Sequence, residues 1–183
     1  LTGVRGIGKT TTARRLARAL NYQSETVDGP SVDLATPGRH CEAIMASTHM
    51  DVLEMDAASR TGVDNMRELL DGVRYAPADA RYKVYIIDEV HMLSAGAFNA
   101  LLKTLEEPPD HAKFIFATTE IRKVPITVLS RCQRVDLRRV DADILATHLK
   151  AIAQKEGIAV SDDGLALIAR AAEGSVRDGL SLL

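Results

Sequence analysis

Gly3-Val4-Arg5-Gly6-Ile7-Gly8-Lys9-Thr10 fits the pattern G-x-x-x-x-G-K-[ST]. In such a loop the main-chain N–H groups of Val4, Arg5, Gly6, Ile7 and Gly8 can wrap a nucleotide's phosphates, with no Cβ on the glycines to keep the backbone away. Lys9 can neutralise the phosphate charge, and a helix opening at Lys9 would set its positive dipole end beneath it. Thr10 is then placed to ligate Mg²⁺, with Thr11 beside it in the same first turn. The pattern predicts binding of ATP or GTP at Gly3 to Thr11.

The next ten residues support that reading. Ala13, Leu16, Ala17 and Leu20 recur on one helical face with arginines on the other, as expected of a helix packed on a sheet. A strand should deliver the chain to Gly3, yet only Leu1 and Thr2 precede it. With no initiator Met, and an apolar run at Gly179-Leu180-Ser181-Leu182-Leu183, the chain reads as an excerpt from something longer.

Length and composition bound the rest. At 183 residues, 46% hydrophobic and 26% charged, the chain is long enough for one good core, or for a core plus a small satellite domain. A net charge of -2 gives no global electrostatic reason to bind nucleic acid, so any such contact must be local. Two cysteines, Cys41 and Cys132, cannot make a disulfide framework, and no run has the length of a membrane span or signal sequence. A reducing cytoplasm is the expectation, with no membrane partner.

Residues 21–39, rich in Gly, Pro, Ser and Asp and without periodicity, read as a long connection or insertion. A short helix is predicted over 40–47, a strand over 52–55, and an amphipathic helix on Val63, Met66, Arg67, Leu69 and Leu70. Val84-Tyr85-Ile86-Ile87 reads as a strand buried on both faces. Phe98, Leu101, Leu102 and Leu105 mark a helix closed by Pro108-Pro109, and Phe114-Ile115-Phe116-Ala117 a further buried strand. Alternation of strand and helix predicts an α/β fold with a parallel sheet flanked by helices. Past residue 139 only helices are expected, capped by Asp141, Ser161 and Ser175 and stopped at Gly157 and Gly174. The expected division is a nucleotide-binding domain over 1–139 and a small all-helical lid domain over 140–183.

The second chemical motif lies where Val84-Tyr85-Ile86-Ile87 ends in Asp88-Glu89. In phosphate-loop enzymes the carboxyl ends of the strands face the phosphates, so Asp88 would stand beside the Mg²⁺. Glu89 would polarise the attacking water, which needs an orienting proton acceptor.

The residues then converge on a family. Asp88-Glu89-Val90-His91-Met92-Leu93-Ser94, followed by Phe98-Asn99-Ala100-Leu101-Leu102-Lys103-Thr104-Leu105-Glu106-Glu107-Pro108-Pro109, resembles the AAA+ clamp-loader ATPases. Ala117-Thr118-Thr119, Ser130-Arg131-Cys132, the stretch from Met55 to Gly62, and Glu173-Gly174-Ser175-Val176-Arg177-Asp178 extend the match toward the gamma/tau subunits of bacterial DNA polymerase III.

The resemblance implies roles. Thr119 is similar to sensor 1, a hydroxyl for phosphate or water. Arg131 resembles the arginine finger that reaches a neighbouring subunit's ATP, a task suited to a permanently charged fork of donors. Arg177 resembles sensor 2, which couples the helical lid to the nucleotide. The implied partners are other clamp-loader subunits, a sliding clamp and primer-template DNA, with ATP hydrolysis driving clamp loading. Arg60, Arg67 and Lys103 are the residues expected to track DNA phosphates. Gamma/tau subunits commonly hold zinc through four cysteines after the first helix, where only Cys41 stands here. His40 and His49 can add nitrogens, but His40 adjoins Cys41 and the set falls short of four ligands, so no zinc is expected. A helicase loader or branch-migration motor shares the loop and the carboxylates. A non-hydrolysing structural subunit would lose phosphate-loop residues, and a small-molecule kinase would leave Arg131 unexplained.

Overall fold

The central strand organises the larger part of the chain. In the computed structural model, which describes residues 1–60 and 62–183, β2 spans Lys83–Asp88 and pairs in parallel with β1 (Val52–Asp56) on one side and β3 (Ala112–Phe116) on the other. Thr61, within the stretch from Met55 to Gly62, lies outside the described residues. β-Branched and aromatic side chains make Val84, Tyr85, Ile86 and Ile87 suited to a strand covered on both faces, and all four are fully buried. Their alternation divides the core. Val84 and Ile86 pack with Ala13, Ala17 and Ile44 of α1 (Lys9–Leu20) and α2 (Cys41–Met45). On the opposite face Ile87 joins Met66, Ala97, Phe98, Leu101 and Val128 of α3 (Val63–Asp71), α4 (Ala95–Glu106) and α5 (Ile126–Leu129).

Local chemistry sets the ends of these elements. Ser94 caps α4 by accepting from the Ala97 N–H at 3.2 Å, and Glu107, which precedes Pro108, leaves the helical region at φ -135. The segment leading into β2 is tied down by Asp51, whose buried carboxylate accepts from the N–H groups of Ala78, Asp79 and Ala80 at 2.8, 2.8 and 2.9 Å. Burial pushes that carboxyl up, but the Ala80, Ala78 and Asp79 donors outweigh it and hold it below the usual carboxylate range.

Backbone contacts divide the chain into two compact units: Leu1 with Thr10–Arg134, and Thr2–Lys9 with Val135–Leu183. The second contains α6 (Ala142–Glu156), α7 (Asp162–Ala171) and α8 (Val176–Leu182), with a core of Leu145, Leu149, Leu165, Ala169 and Ala172. α6 stops at Gly157, which takes φ +69, and Ser161 and Ser175 cap α7 and α8 by accepting from Gly164 and Asp178 N–H. Thr2 forms a parallel bridge with Asp136 in the same unit.

Three expectations need correction. Leu16 is 42% exposed although it shares the helical face of the fully buried Ala13 and Ala17; periodicity gives the direction of a side chain but not the extent of what covers it. β3 is half-buried along Lys113 to Phe116 rather than enclosed like β2, because it pairs with a named strand on one side only. Asp141 occupies the position before α6 but makes no capping hydrogen bond. Among the described residues no helix is long and apolar enough to cross a membrane.

Candidate functional site

In the unit holding residues 2–9, the phosphate-loop segment turns through glycines that no other residue could replace without cost. Gly6 takes φ +77, and a Cβ there would overlap Ser175 Oγ and lie 3.0 Å from Arg177 Cβ. The Arg177 N–H donates to the Gly6 carbonyl at 3.3 Å, so the start of α8 is seated on the loop. Lys9 is buried, and its ammonium donates to the Gly3 and Val4 carbonyls, each at 3.1 Å. The structure therefore brings Arg177, a residue chosen from the far end of the sequence, beside the glycine loop within one unit. Its guanidinium enters no ion pair with Asp178 or Glu173 among the described residues; Glu173 pairs instead with Arg139 at 3.3 Å.

In the other unit, Thr10 at the head of α1 donates its hydroxyl hydrogen to Asp88 Oδ2 at the end of β2. Two oxygen groups separated by 78 positions in the chain thus meet, and both are the hard ligands that Mg²⁺ prefers. The next residue, Glu89, has φ 46 and ψ 45, a left-handed conformation unusual for a residue with a side chain. Its N–H donates back to Asp88 Oδ1 at 2.9 Å. Its carboxylate is gripped from β3's far end: Oε2 accepts from the Thr119 N–H at 3.2 Å and from Thr119 Oγ1 at 3.0 Å. The side chain remains 28% exposed. A carboxylate that is aimed by hydrogen bonds, reachable by solvent and next to a metal-type carboxylate can accept a proton from water.

Arg131, which follows α5, is engaged inside its own chain. Its guanidinium pairs with Glu106 at 2.9 Å and donates to the Thr127 carbonyl at 2.7 Å. Cys132 beside it is half-buried, and burial pushes its thiol up. Arg60, Arg67 and Lys103 are all exposed. Arg67 makes an i,i+3 pair with Asp64 at 3.3 Å, and such exposed pairs contribute little.

Several side chains make contacts that the sequence does not foretell. His91 touches Thr118 and Glu89, Ser175 covers Gly6, and Arg14 makes a forked pair with Glu54, both bonds at 2.8 Å. No local pattern announces partners so far apart in the chain.

One group of potential metal ligands is present among the described residues, His40, His49 and Asp79. Its hydrogen bonds argue for another use. The Asp51 N–H donates to His49 Nδ1 at 3.0 Å, so a neutral His49 carries its proton on Nε2, which stands 3.0 Å from His40 Nδ1. A metal-binding imidazole offers its second nitrogen to an acceptor, whereas here that nitrogen faces a donor. Asp79 meanwhile takes Arg39 at 2.6 Å. Burial, and then the neighbouring His49, push the His40 imidazole below the usual histidine range.

Comparison with known proteins agrees with this layout. A family model described as "DNA polymerase III, delta subunit" matches residues 1–141, and one described as "DNA polymerase III clamp loader subunit, ATPase lid domain" matches residues 144–183. The tau subunit of DNA polymerase III from Bacillus subtilis is 50% identical over 182 residues, covering 100% of this chain and 32% of that protein. Its counterpart from Escherichia coli is 50% identical over 184 residues, covering 99% and 28%. The chain thus spans about a third of these relatives' length. Among solved structures, the Thermotoga maritima RuvB Holliday junction branch migration motor superposes with a TM-score of 0.66 at 19% identity, over 98% of this chain and 50% of that one. A DNA polymerase III gamma subunit-related protein from the same organism gives 0.51 at 24% identity, over 94% and 60%. These two likenesses establish the fold, a parallel sheet flanked by helices and followed by a helical segment.

Proposed function

The chain belongs to the DNA polymerase III clamp-loader family, and on that premise we propose that it is the ATPase part of a replicative clamp-loader subunit, working in the cytoplasm. ATP lies against Gly3 to Thr11, with Lys9 on its phosphates and Arg177 reporting its presence to the helical lid. The observation that carries this reading is the bond from Thr10 to Asp88 Oδ2, which joins the last residue of the loop motif to the carboxylate expected beside the metal. Mg²⁺, held by these two residues, would neutralise charge developing on the phosphates.

Glu89 is the base. It accepts the proton of the attacking water, while Thr119, whose hydroxyl donates to Glu89 Oε2, keeps its oxygen lone pairs for a hydrogen bond from that water. Arg131 leaves its Glu106 partner to reach the ATP of the next subunit. Subunits ordered in this way grip and open a sliding clamp, and contact with primed DNA, tracked by Arg60, Arg67 and Lys103, triggers hydrolysis and release. Identity to the tau subunits and retention of Lys9, Thr10 and Glu89 favour a hydrolysing subunit over a structural one.

The test is turnover and clamp capture by the full-length protein with its partner subunits. Glu89→Gln is expected to keep ATP binding and nucleotide-dependent capture of the clamp while turnover disappears. Turnover equal to that of the unaltered protein, or clamp capture indifferent to nucleotide, would overturn the proposal.

A further inference from the structure

A histidine that none of the roles above uses sits against the proposed base. His91 lies in the 3-10 turn Val90–Met92 that follows β2, and its side chain is 6% exposed. Nδ1 stands 2.9 Å from Thr118 Oγ1 and 3.4 Å from Glu89 Oε2, while Nε2 stands 3.6 Å from Glu120 Oε1. Thr118, itself buried, accepts from the Glu120 N–H at 3.0 Å. One hydroxyl lone pair is thereby occupied, and its remaining capacity is directed at the imidazole.

A ring used only to fill space would not be surrounded in this way, because each polar contact of a buried imidazole must be matched and three oxygens from three residues converge on this one. The geometry also shows why the base needs it. Glu89 enters from a left-handed backbone, so its carboxylate is not aimed by ordinary strand geometry and must be held by its partners. Thr119 grips Oε2 through two bonds, and His91 Nδ1, hydrogen-bonded to Thr118 at 2.9 Å, lies 3.4 Å from the same oxygen. Oε1 has no hydrogen-bond partner among the described residues and is the oxygen left for water.

We infer that His91 is a positioning residue for the Glu89 base, bracketing Oε2 together with Thr119 so that Oε1 is presented to water; the inference rests on the catalytic assignment of Glu89. Among the described residues no hydrogen bond or ion pair joins His91 to Thr10 or Asp88. Loss of His91 therefore acts on turnover and spares nucleotide affinity.

Three substitutions in the full-length protein with its partner subunits separate bonding from packing. His91→Ala lowers kcat for ATP at least about tenfold with KM within about twofold of the unaltered value. His91→Asn, whose amide can stand near the Nδ1 position and donate to the same oxygens, recovers kcat to within about threefold. His91→Phe keeps the ring without Nδ1 and behaves like Ala. If Phe retains full turnover while Asn loses it, the ring is packing and the inference fails. It fails equally if Ala leaves kcat unchanged or lowers it only in step with a rising KM. Should Ala not fold, the Asn and Phe pair decides alone. Glu89→Gln run beside them distinguishes the two readings: if it still turns over, the base assignment is at fault; if it is inactive while every His91 variant is normal, only the present inference falls.

Discussion

Replacing Gly6 by alanine places a methyl group where the structure has no room for one. Two costs add. Holding an L-residue at φ +77 is unfavourable by about 1–2 kcal/mol, because Cβ then crowds the following carbonyl. The new Cβ also overlaps Ser175 Oγ and approaches Arg177 Cβ at 3.0 Å, an overpacking that typically costs about 1–3 kcal/mol. If relief requires the loop to leave its nucleotide-ready shape, the sum of about 2–5 kcal/mol appears as roughly 30-fold to a few thousandfold weaker ATP binding. Ser175→Gly isolates the second cost. Glycine in place of serine at the cap of α8 loses only a few tenths of a kcal/mol, so the double variant Gly6→Ala with Ser175→Gly should regain part of the loss and keep the φ penalty. Equilibrium titration with a fluorescent ATP analogue measures all three variants. Binding by Gly6→Ala within about twofold of the unaltered protein, or no recovery in the double variant, would refute the argument that Ser175 bounds the loop.

Other consequences follow from single side chains. Tyr85 is fully buried with its hydroxyl unpartnered among the described residues, and burial, then the Asp51 charge, push that hydroxyl up to about 12. Tyr85→Phe removes a polar group that is buried without a bond, so thermal melts should show about 1–2 kcal/mol of added stability, or roughly 2–8 °C; a lower Tm would show that the hydroxyl is satisfied in solution. Asp51→Ala leaves three backbone donors without their acceptor and should cost about 3 kcal/mol in a denaturant titration. Because the folded Asp51 carboxyl lies below its unfolded value, its charge-linked stability is full above about pH 4 and is lost as pH falls through the folded value. Asp51→Asn should flatten that acid limb, and an unchanged limb would assign it to other groups. Arg131→Ala breaks an exposed pair with Glu106 and should change stability by no more than about 1 kcal/mol. Turnover in the assembled loader should nevertheless fall about a thousandfold, and a variant that turns over normally there is no arginine finger.

What could be read from the chain, and what could not, divides along physical lines. The loop motif and the apolar run before Asp88 carry their structure in consecutive residues: glycine spacing fixes where the backbone can turn, and four β-branched or aromatic residues in a row suit only a strand covered on both faces. Helix ends at Gly157, Ser161 and Ser175 were legible for the same reason, since a cap is satisfied within a few residues. Partner choice across the fold was not. Periodicity placed Leu16 on the buried face without saying that the cover stops short of it, and Asp141 had the right chemistry for a cap but forms none. The grip of Thr119 on Glu89, the pairing of Arg131 with Glu106 and the approach of His91 to Glu89 join segments that meet only once the sheet and its helices are assembled. His40 and His49 stand out in the sequence, but the Asp51 N–H that sets the tautomer of His49 is a contact no local pattern announces.

The proposed ATPase cycle requires one nucleotide to be served by both Lys9 and Asp88. A structure determined with Mg²⁺ and a non-hydrolysable ATP analogue tests that directly. The expected result is a triphosphate lying along Gly3 to Thr10 with Lys9 on its phosphates, and a metal contacted by the Thr10 hydroxyl and approached by Asp88. A nucleotide bound elsewhere, or bound at the loop with its metal out of reach of Asp88, would contradict it.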